Sequence, residues 1–137
     1  MKECIFCKIA RREIPAEIVL EDERSVAFLD IMPKAPGHTV VIPKFHAPTI
    51  VELPILEIGP LFVAVQKMAE RLSWKLAADG LTIGINQGRA SGQTVEHLHI
   101  HLLPRFVDDG GGSIHSVVHN PPRESLADIA KKLREGV

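Results

Sequence analysis

The segment His97-Leu98-His99-Ile100-His101-Leu102-Leu103 places three imidazoles at alternate positions. Alternate side chains of a strand share a face, so the histidines predict one chemical face and Leu98, Ile100 and Leu102 the opposite, core face. Neighbouring imidazoles on a strand start ~6.5–7 Å apart and can converge through their side chains. Such a cluster suits two chemistries. It can hold a metal ion, since histidine is the commonest metal ligand. Alternatively, one imidazole attacks an electrophile while its neighbours orient it and supply protons. Spacing alone does not separate the two. Just upstream, Asn86-Gln87-Gly88-Arg89-Ala90-Ser91-Gly92-Gln93-Thr94 supplies amides, hydroxyls and two glycines. A loop of this kind presents N–H groups to phosphate oxygens. Cys4-x-x-Cys7 is a zinc half-site, two ligands short of a tetrahedron.

The elements around these residues follow from periodicity. Cys4 to Arg12, with Ile5, Phe6, Ile9 and Ala10, predicts a short helix ended by Pro15. Ile18–Leu20, Ser25–Leu29 and Thr39–Ile42 are β-branched or apolar runs separated by charged or turn-forming pieces, and they predict three strands. Residues Ile55 to Ala78 predict the main helix, with Leu61, Val65, Met68, Leu72 and Leu76 on one face. Pro60 falls near its start, and Asp79-Gly80 stops it. Trp74 lies off the apolar face, at an interface or on the surface. Leu81–Ile85 and Val95–Leu103 predict two further strands, the last stopped at Pro104. After a Gly- and Pro-bearing excursion over 107–122, Ser125–Arg134 predicts an amphipathic helix with Leu126, Ile129, Ala130 and Leu133 on one face. Consecutive strands, one long helix and no βαβ alternation predict an α+β architecture with an antiparallel sheet of about five strands.

Composition bounds the rest. With 137 residues, 45% hydrophobic and 24% charged, the chain reads as a single globular domain over 1–137 rather than a disordered one. A net charge of -1 leaves no basic excess to drive nucleic-acid binding. The longest stretch without Asp, Glu, Lys or Arg, Gly110–Pro122, is polar and 13 residues long, short of a membrane span. The N-terminal segment has no signal or transit pattern, so the expectation is a cytoplasmic protein with reduced cysteines. Tyrosine is absent, whereas there are seven histidines.

The His-φ-His-φ-His-φ-φ pattern (φ, apolar) resembles the histidine-triad (HIT) superfamily. So do Gly92-Gln93-Thr94-Val95 before it and Leu103-Pro104-Arg105 after it. Cys4-Ile5-Phe6-Cys7-Lys8-Ile9, Ala27-Phe28-Leu29-Asp30 and Pro36-Gly37-His38 through Phe45-His46 are similar to upstream blocks of that family, in the family's order. The resemblance covers residues 4–106 and leaves a tail, 107–137. It implies a HIT-like fold with short terminal helices and a protein that breaks a bond at a nucleotide's α-phosphate. His99 would be the nucleophile, forming a nucleotidyl-imidazole that water hydrolyses. His101 would contact the phosphate or leaving group, and His38 and His97 would support the face. Asn86, Gly92, Gln93 and Thr94 would hold the phosphate, Asp30 the ribose, and Phe6, Ile9, Phe28 and Ile31 the base. The chemistry would need no cofactor. Relatives with structural zinc imply the ligand set Cys4, Cys7, His46 and His97. The family further implies a homodimer and a purine nucleotide substrate, an adenosine monophosphate conjugate. That conjugate is a phosphoramidate in one branch and a dinucleoside polyphosphate in another. The other readings are a metal-dependent hydrolase built on His97, His99 and His101, and a nucleotide-binding regulatory or partner-binding protein.

Overall fold

The computed structural model describes residues 3–136. Five strands form one antiparallel sheet, in the order β1-β2-β3-β5-β4. They are β1 (Ile18–Glu21), β2 (Ser25–Leu29), β3 (Thr39–Pro43), β4 (Gly80–Gly84) and β5 (Ile100–Arg105). Three α-helices accompany them: α1 (Ile5–Ala10), α2 (Ile55–Lys75) and α3 (Leu126–Arg134). The α+β antiparallel architecture read from the sequence is therefore the observed one.

Strand alternation divides the apolar residues between the two faces of the sheet. Ala27, Val41, Ile100 and Leu102 form one cluster with Leu61, Ala64, Val65, Met68 and Leu72 of α2. Val26, Phe28, Val40 and Ile42 point the other way, toward Ile9 and Phe6 of α1. The long helix thus backs one face, and the short one covers only part of the other.

Boundaries differ from the sequence expectations where local chemistry intervenes. Helix α1 stops at Ala10, and Arg12 adopts φ 60°, so the chain has left the helix before Pro15 is reached. Helix α2 ends at Lys75, with Ala77 at φ 54° making the stop ahead of Asp79. Pro60 lies inside α2 and deprives the Leu56 carbonyl of its donor, but Leu56 is exposed and water can serve it. Strand β5 starts at Ile100, five residues later than expected, because β4 ends opposite His101 and the segment before Ile100 leaves the ladder with β3, although β3 itself runs on to Pro43. β3 pairs with it only from Val41↔Ile100 to Thr39↔Leu102, and β4 only from Gly84↔His101. It also continues through Pro104, which pairs only with Leu81 of β4 and lies beyond the reach of β3, a one-sided position that tolerates a missing N–H.

Candidate active site and metal node

Although β5 begins late, the alternation holds through His97 to His101. Leu98, Ile100 and Leu102 are in the core cluster beneath the sheet. The Leu98 N–H donates to the Ala47 carbonyl at 2.7 Å, which holds the segment before the ladder starts. His97 and His99 are buried, and His101 is half-buried beside Val40 of β3. Opposite His101 on β4 stands Gly84, which leaves open floor there.

Hydrogen-bond partners assign each ring's tautomer. His99 Nδ1 lies 2.7 Å from the His97 carbonyl oxygen. A carbonyl only accepts, so Nδ1 carries the proton and Nε2 keeps its lone pair. His38 Nδ1 accepts the Lys34 N–H at 3.1 Å. Its proton is therefore on Nε2, which donates to His101 Nδ1 at 2.9 Å, with Asp30 Oδ2 at 3.5 Å. His101 Nδ1 accepts, so His101 carries its proton on Nε2. Among the described residues, Ser25 Oγ is the one buried side-chain N or O atom without a partner. Nε2 of His99 and Nε2 of His101, which bond to nothing, therefore reach solvent. The face offers a bare lone pair and an N–H side by side, on rings whose centroids are 5.1 Å apart. Burial lowers the pKa of His38, opposed by the Asp30 carboxylate; burial also lowers that of His101, aided by the neighbouring imidazoles. Both rings are therefore neutral near pH 7.

His97 faces the other way. Its Nε2 donates to the Pro43 carbonyl at 2.8 Å, so Nδ1 is the lone pair. That nitrogen lies 3.4 Å from Cys4 Sγ, 3.5 Å from Cys7 Sγ and 3.1 Å from His46 Nδ1. Cys7 Sγ is 3.3 Å from His46 Nδ1. Around a tetrahedral zinc with its usual bond lengths, such donor atoms stand ~3.3–3.8 Å apart. Two imidazole nitrogens at 3.1 Å with a lone pair on at least one call for a cation or proton between them. The donor set, two sulfurs and two nitrogens converging from three segments of chain, fits zinc. Burial, then the proximity of Cys4, pushes the Cys7 thiol up to about 11, and burial pushes His97 down to about 4. Metal entry must therefore displace the Cys7 thiol proton.

A second group, Asp30, His38 and His101, also brings three potential ligand atoms together. It does not fit a metal, because His38 spends its Nδ1 lone pair on Lys34 N–H and must keep its proton on Nε2, the nitrogen an ion would need. His97, His99 and His101 do not form a convergent trio among the described residues. His97 turns its lone pair to the cysteines, and His99 turns Nδ1–H to a backbone carbonyl.

The other sequence candidates distribute as follows. Phe6 stands edge-on to His99, with centroids 5.0 Å apart, and to Phe28 at 5.4 Å. Ile9 and Phe28 are buried in the same cluster, whereas Ile31 lies outside it and is 90% exposed. Asp30 Oδ1 accepts the Met32 N–H at 2.8 Å. Asn86 and Thr94 are exposed. Gly92 adopts φ 101°, a conformation that excludes most side chains, and caps the 3-10 turn Arg89–Ser91. Gln93 is fully engaged by backbone. Its Nε2 donates to the carbonyls of Pro48 and Val95 at 2.7 and 3.0 Å, and its Oε1 accepts the Gly88 N–H at 2.8 Å.

Sequence reasoning missed the groups that set tautomers, namely Lys34 N–H and the carbonyls of Pro43 and His97. Backbone atoms carry no residue signature. It also passed over Arg105, which binds both oxygens of Asp109, Thr82 Oγ1 and the Gly112 carbonyl, and so ties the turn after β5 to the sheet. The Arg-x-x-x-Asp spacing was its visible signal.

Fold and site together define a small α+β protein with a row of tautomer-ordered imidazoles on the open face of an antiparallel sheet. The HIT domain family model matches residues 11–108. An uncharacterized HIT-like protein of Methanocaldococcus jannaschii is 49% identical over 107 residues, covering 78% of this chain and 82% of its own. The adenosine 5'-monophosphoramidase of Saccharomyces cerevisiae is 34% identical over 132 residues, covering 96% of this chain and 78% of its own. The crystal structure of a HIT family member from Bacillus subtilis matches with a TM-score of 0.87 at 36% identity, over 99% of this chain and 98% of its own. The chain belongs to the HIT family. Among the described residues, no helix is long and apolar enough to cross a membrane.

Proposed function

We propose that the protein is a nucleotide hydrolase that cleaves the P–N bond of an adenosine monophosphate phosphoramidate through a nucleotidyl-His99 intermediate. The observation that carries this reading is the tautomer order, which leaves a lone pair at His99 Nε2 and an N–H at His101 Nε2, both reaching solvent. His99 Nε2 attacks phosphorus, and the leaving nitrogen departs with the P–N electron pair and a proton delivered through His101 Nε2. Water then attacks phosphorus, returns a proton through the same nitrogen and frees His99. The phosphoramidate is favoured over a dinucleoside polyphosphate because an amine cannot leave unprotonated. The name of the yeast relative points the same way.

The remaining roles follow from placement. Asp30 takes the ribose hydroxyls, and Phe6, Ile9 and Phe28 take the base, with Ile31 closing over it from the surface. Thr94, through its hydroxyl and backbone N–H, and Asn86 take the phosphate oxygens, on a loop whose shape Gly92 and Gln93 fix through their own backbone and side-chain hydrogen bonds. Zinc, held by Cys4, Cys7, His46 and His97, would tie the N-terminal segment to the sheet, and it takes no part in the chemistry. Thiolate ligands suit a reducing, cytoplasmic setting. The chain acts as a single domain and, with Trp74 and Ile83 exposed on α2 and the edge strand β4, as half of a homodimer. Mass measurement in solution tests the dimer.

The deciding experiment is hydrolysis of an adenosine phosphoramidate by wild type and His99→Ala, with acid-free quenching to trap the adenylylated protein. Wild type is expected to turn over and to carry label on His99. The variant is expected to lose turnover while binding AMP within about tenfold of wild type, since ground-state contacts come from other residues. Wild-type-like turnover by His99→Ala would reject the mechanism.

A further inference from the structure

Phe6 lies between Cys4 and Cys7 in sequence and against the candidate nucleophile in space. Its ring meets His99 edge-on at 5.0 Å and 78°, and His97 at 6.0 Å and 79°. Helix α1, which carries it, has only six residues, well below the ~12–15 at which an isolated helix begins to hold itself. The helix is anchored by the buried Ile9 and by the cysteines, with Cys4 also acting as its N-cap. A second strut runs through His97, whose ring enters the metal node while its carbonyl takes the His99 Nδ1–H. A zinc ion there would bond Cys4 and Cys7, which flank Phe6, to His46 and His97, whereas without it the cysteines meet those rings only through sulfur–nitrogen contacts of 3.3–3.5 Å. Removing the metal therefore removes the strongest tether that fixes the Phe6 ring beside His99.

We propose that zinc and nucleotide binding are thermodynamically coupled through Phe6: the metal in the Cys4/Cys7/His46/His97 node holds the Phe6 ring against His99 and thereby raises the site's affinity for AMP. The proposal rests on the functional reading above, for both the nucleotide and the metal. Linkage makes the coupling reciprocal, so AMP must raise zinc affinity by the same factor that zinc raises AMP affinity. Phe6, which the functional reading sets against the base, is the group through which the two sites communicate.

The test measures both directions on the full chain. AMP is titrated calorimetrically into zinc-loaded and chelator-stripped protein, with circular dichroism confirming the fold. Zinc is titrated in competition with a chromophoric chelator, with and without saturating AMP. Wild type is expected to show a factor of about tenfold in each direction. Phe6→Ala is expected to keep its zinc affinity without AMP within about twofold while its coupling factor falls to near one; Phe6→Leu, which restores apolar bulk, recovers part of it. Lys8→Ala, on the same helix but with an ammonium paired to Glu3, keeps the full factor. If stripping unfolds the chain, the zinc titrations of Phe6→Ala and Lys8→Ala decide, and an equal AMP shift in the two overturns the proposal. A factor near one in wild type, or one that survives Phe6→Ala, also overturns it. Zinc-loaded wild type that binds no AMP refutes the nucleotide reading and the coupling with it, whereas AMP binding indifferent to zinc overturns the coupling alone.

Discussion

Replacing His38 by alanine tests the tautomer order without touching the nucleophile. His38 Nε2–H donates to His101 Nδ1 at 2.9 Å, and this bond keeps the His101 proton on Nε2. The variant removes a hydrogen bond with a net value of ~0.5–1.5 kcal/mol and leaves the acceptor of a half-buried ring unserved, for a combined cost of about 1–3 kcal/mol. Freed of its partner, His101 can place its proton on either nitrogen. If that cost falls on the step that protonates the leaving group, the rate drops roughly 10- to 100-fold, at ~1.4 kcal/mol per decade. The assay compares kcat/KM for two adenosine monophosphate derivatives. One is an alkyl phosphoramidate, whose amine must be protonated to leave; the other is a nitrophenyl ester, whose phenolate leaves unaided. His38→Ala is expected to lose the full factor on the first and less than about threefold on the second. Thermal melts confirm that both assays read folded protein. Equal losses on the two substrates would show that His38 supports the fold of the face and not the His101 proton, and would refute the reasoning.

Purified protein is expected to hold close to one zinc per chain by metal analysis, and Cys7→Ala none; a folded wild type free of zinc would reject the node. In zinc-free protein His97 stays neutral down to about pH 4, whereas in the unfolded chain it protonates near 6.5. The unfolded state therefore binds the extra proton, and His97 makes stability fall as pH drops across that window, by at most about 3 kcal/mol. Denaturant titrations at pH 7 and pH 4 check this, and a His97→Phe variant should flatten the difference. Gly37→Ala is expected to destabilise the fold by roughly 1–3 kcal/mol. Gly37 holds φ +84°, and its new Cβ would stand 2.3 Å from Leu76 Cδ1 and 3.3 Å from Leu72 and Pro104 side chains. An unchanged melting temperature would contradict that close approach.

Much of this protein is legible in one dimension because its signals are local. Alternation in His97–Leu102 reports which side chains face the core, and the structure keeps that division even where the ladder has not begun. The spacing of Leu61, Val65, Met68 and Leu72 marks the buried stripe of α2, and Cys4-x-x-Cys7 marks a pair that one turn of helix brings together. Element ends were less legible. Whether β5 opens at Val95 or Ile100 depends on where β4 ends and where the chain parts from β3 to bond Ala47, and whether Pro104 breaks it depends on which flank is paired. The chemistry within the site was decided last, by tertiary contacts alone. Three identical imidazoles differ only in what their ring nitrogens meet: a carbonyl from Pro43, a carbonyl from His97, and a second histidine whose own proton is placed by Lys34 N–H. Those partners are backbone groups or distant side chains, and nothing in the pattern His-x-His-x-His says which lone pair each ring keeps.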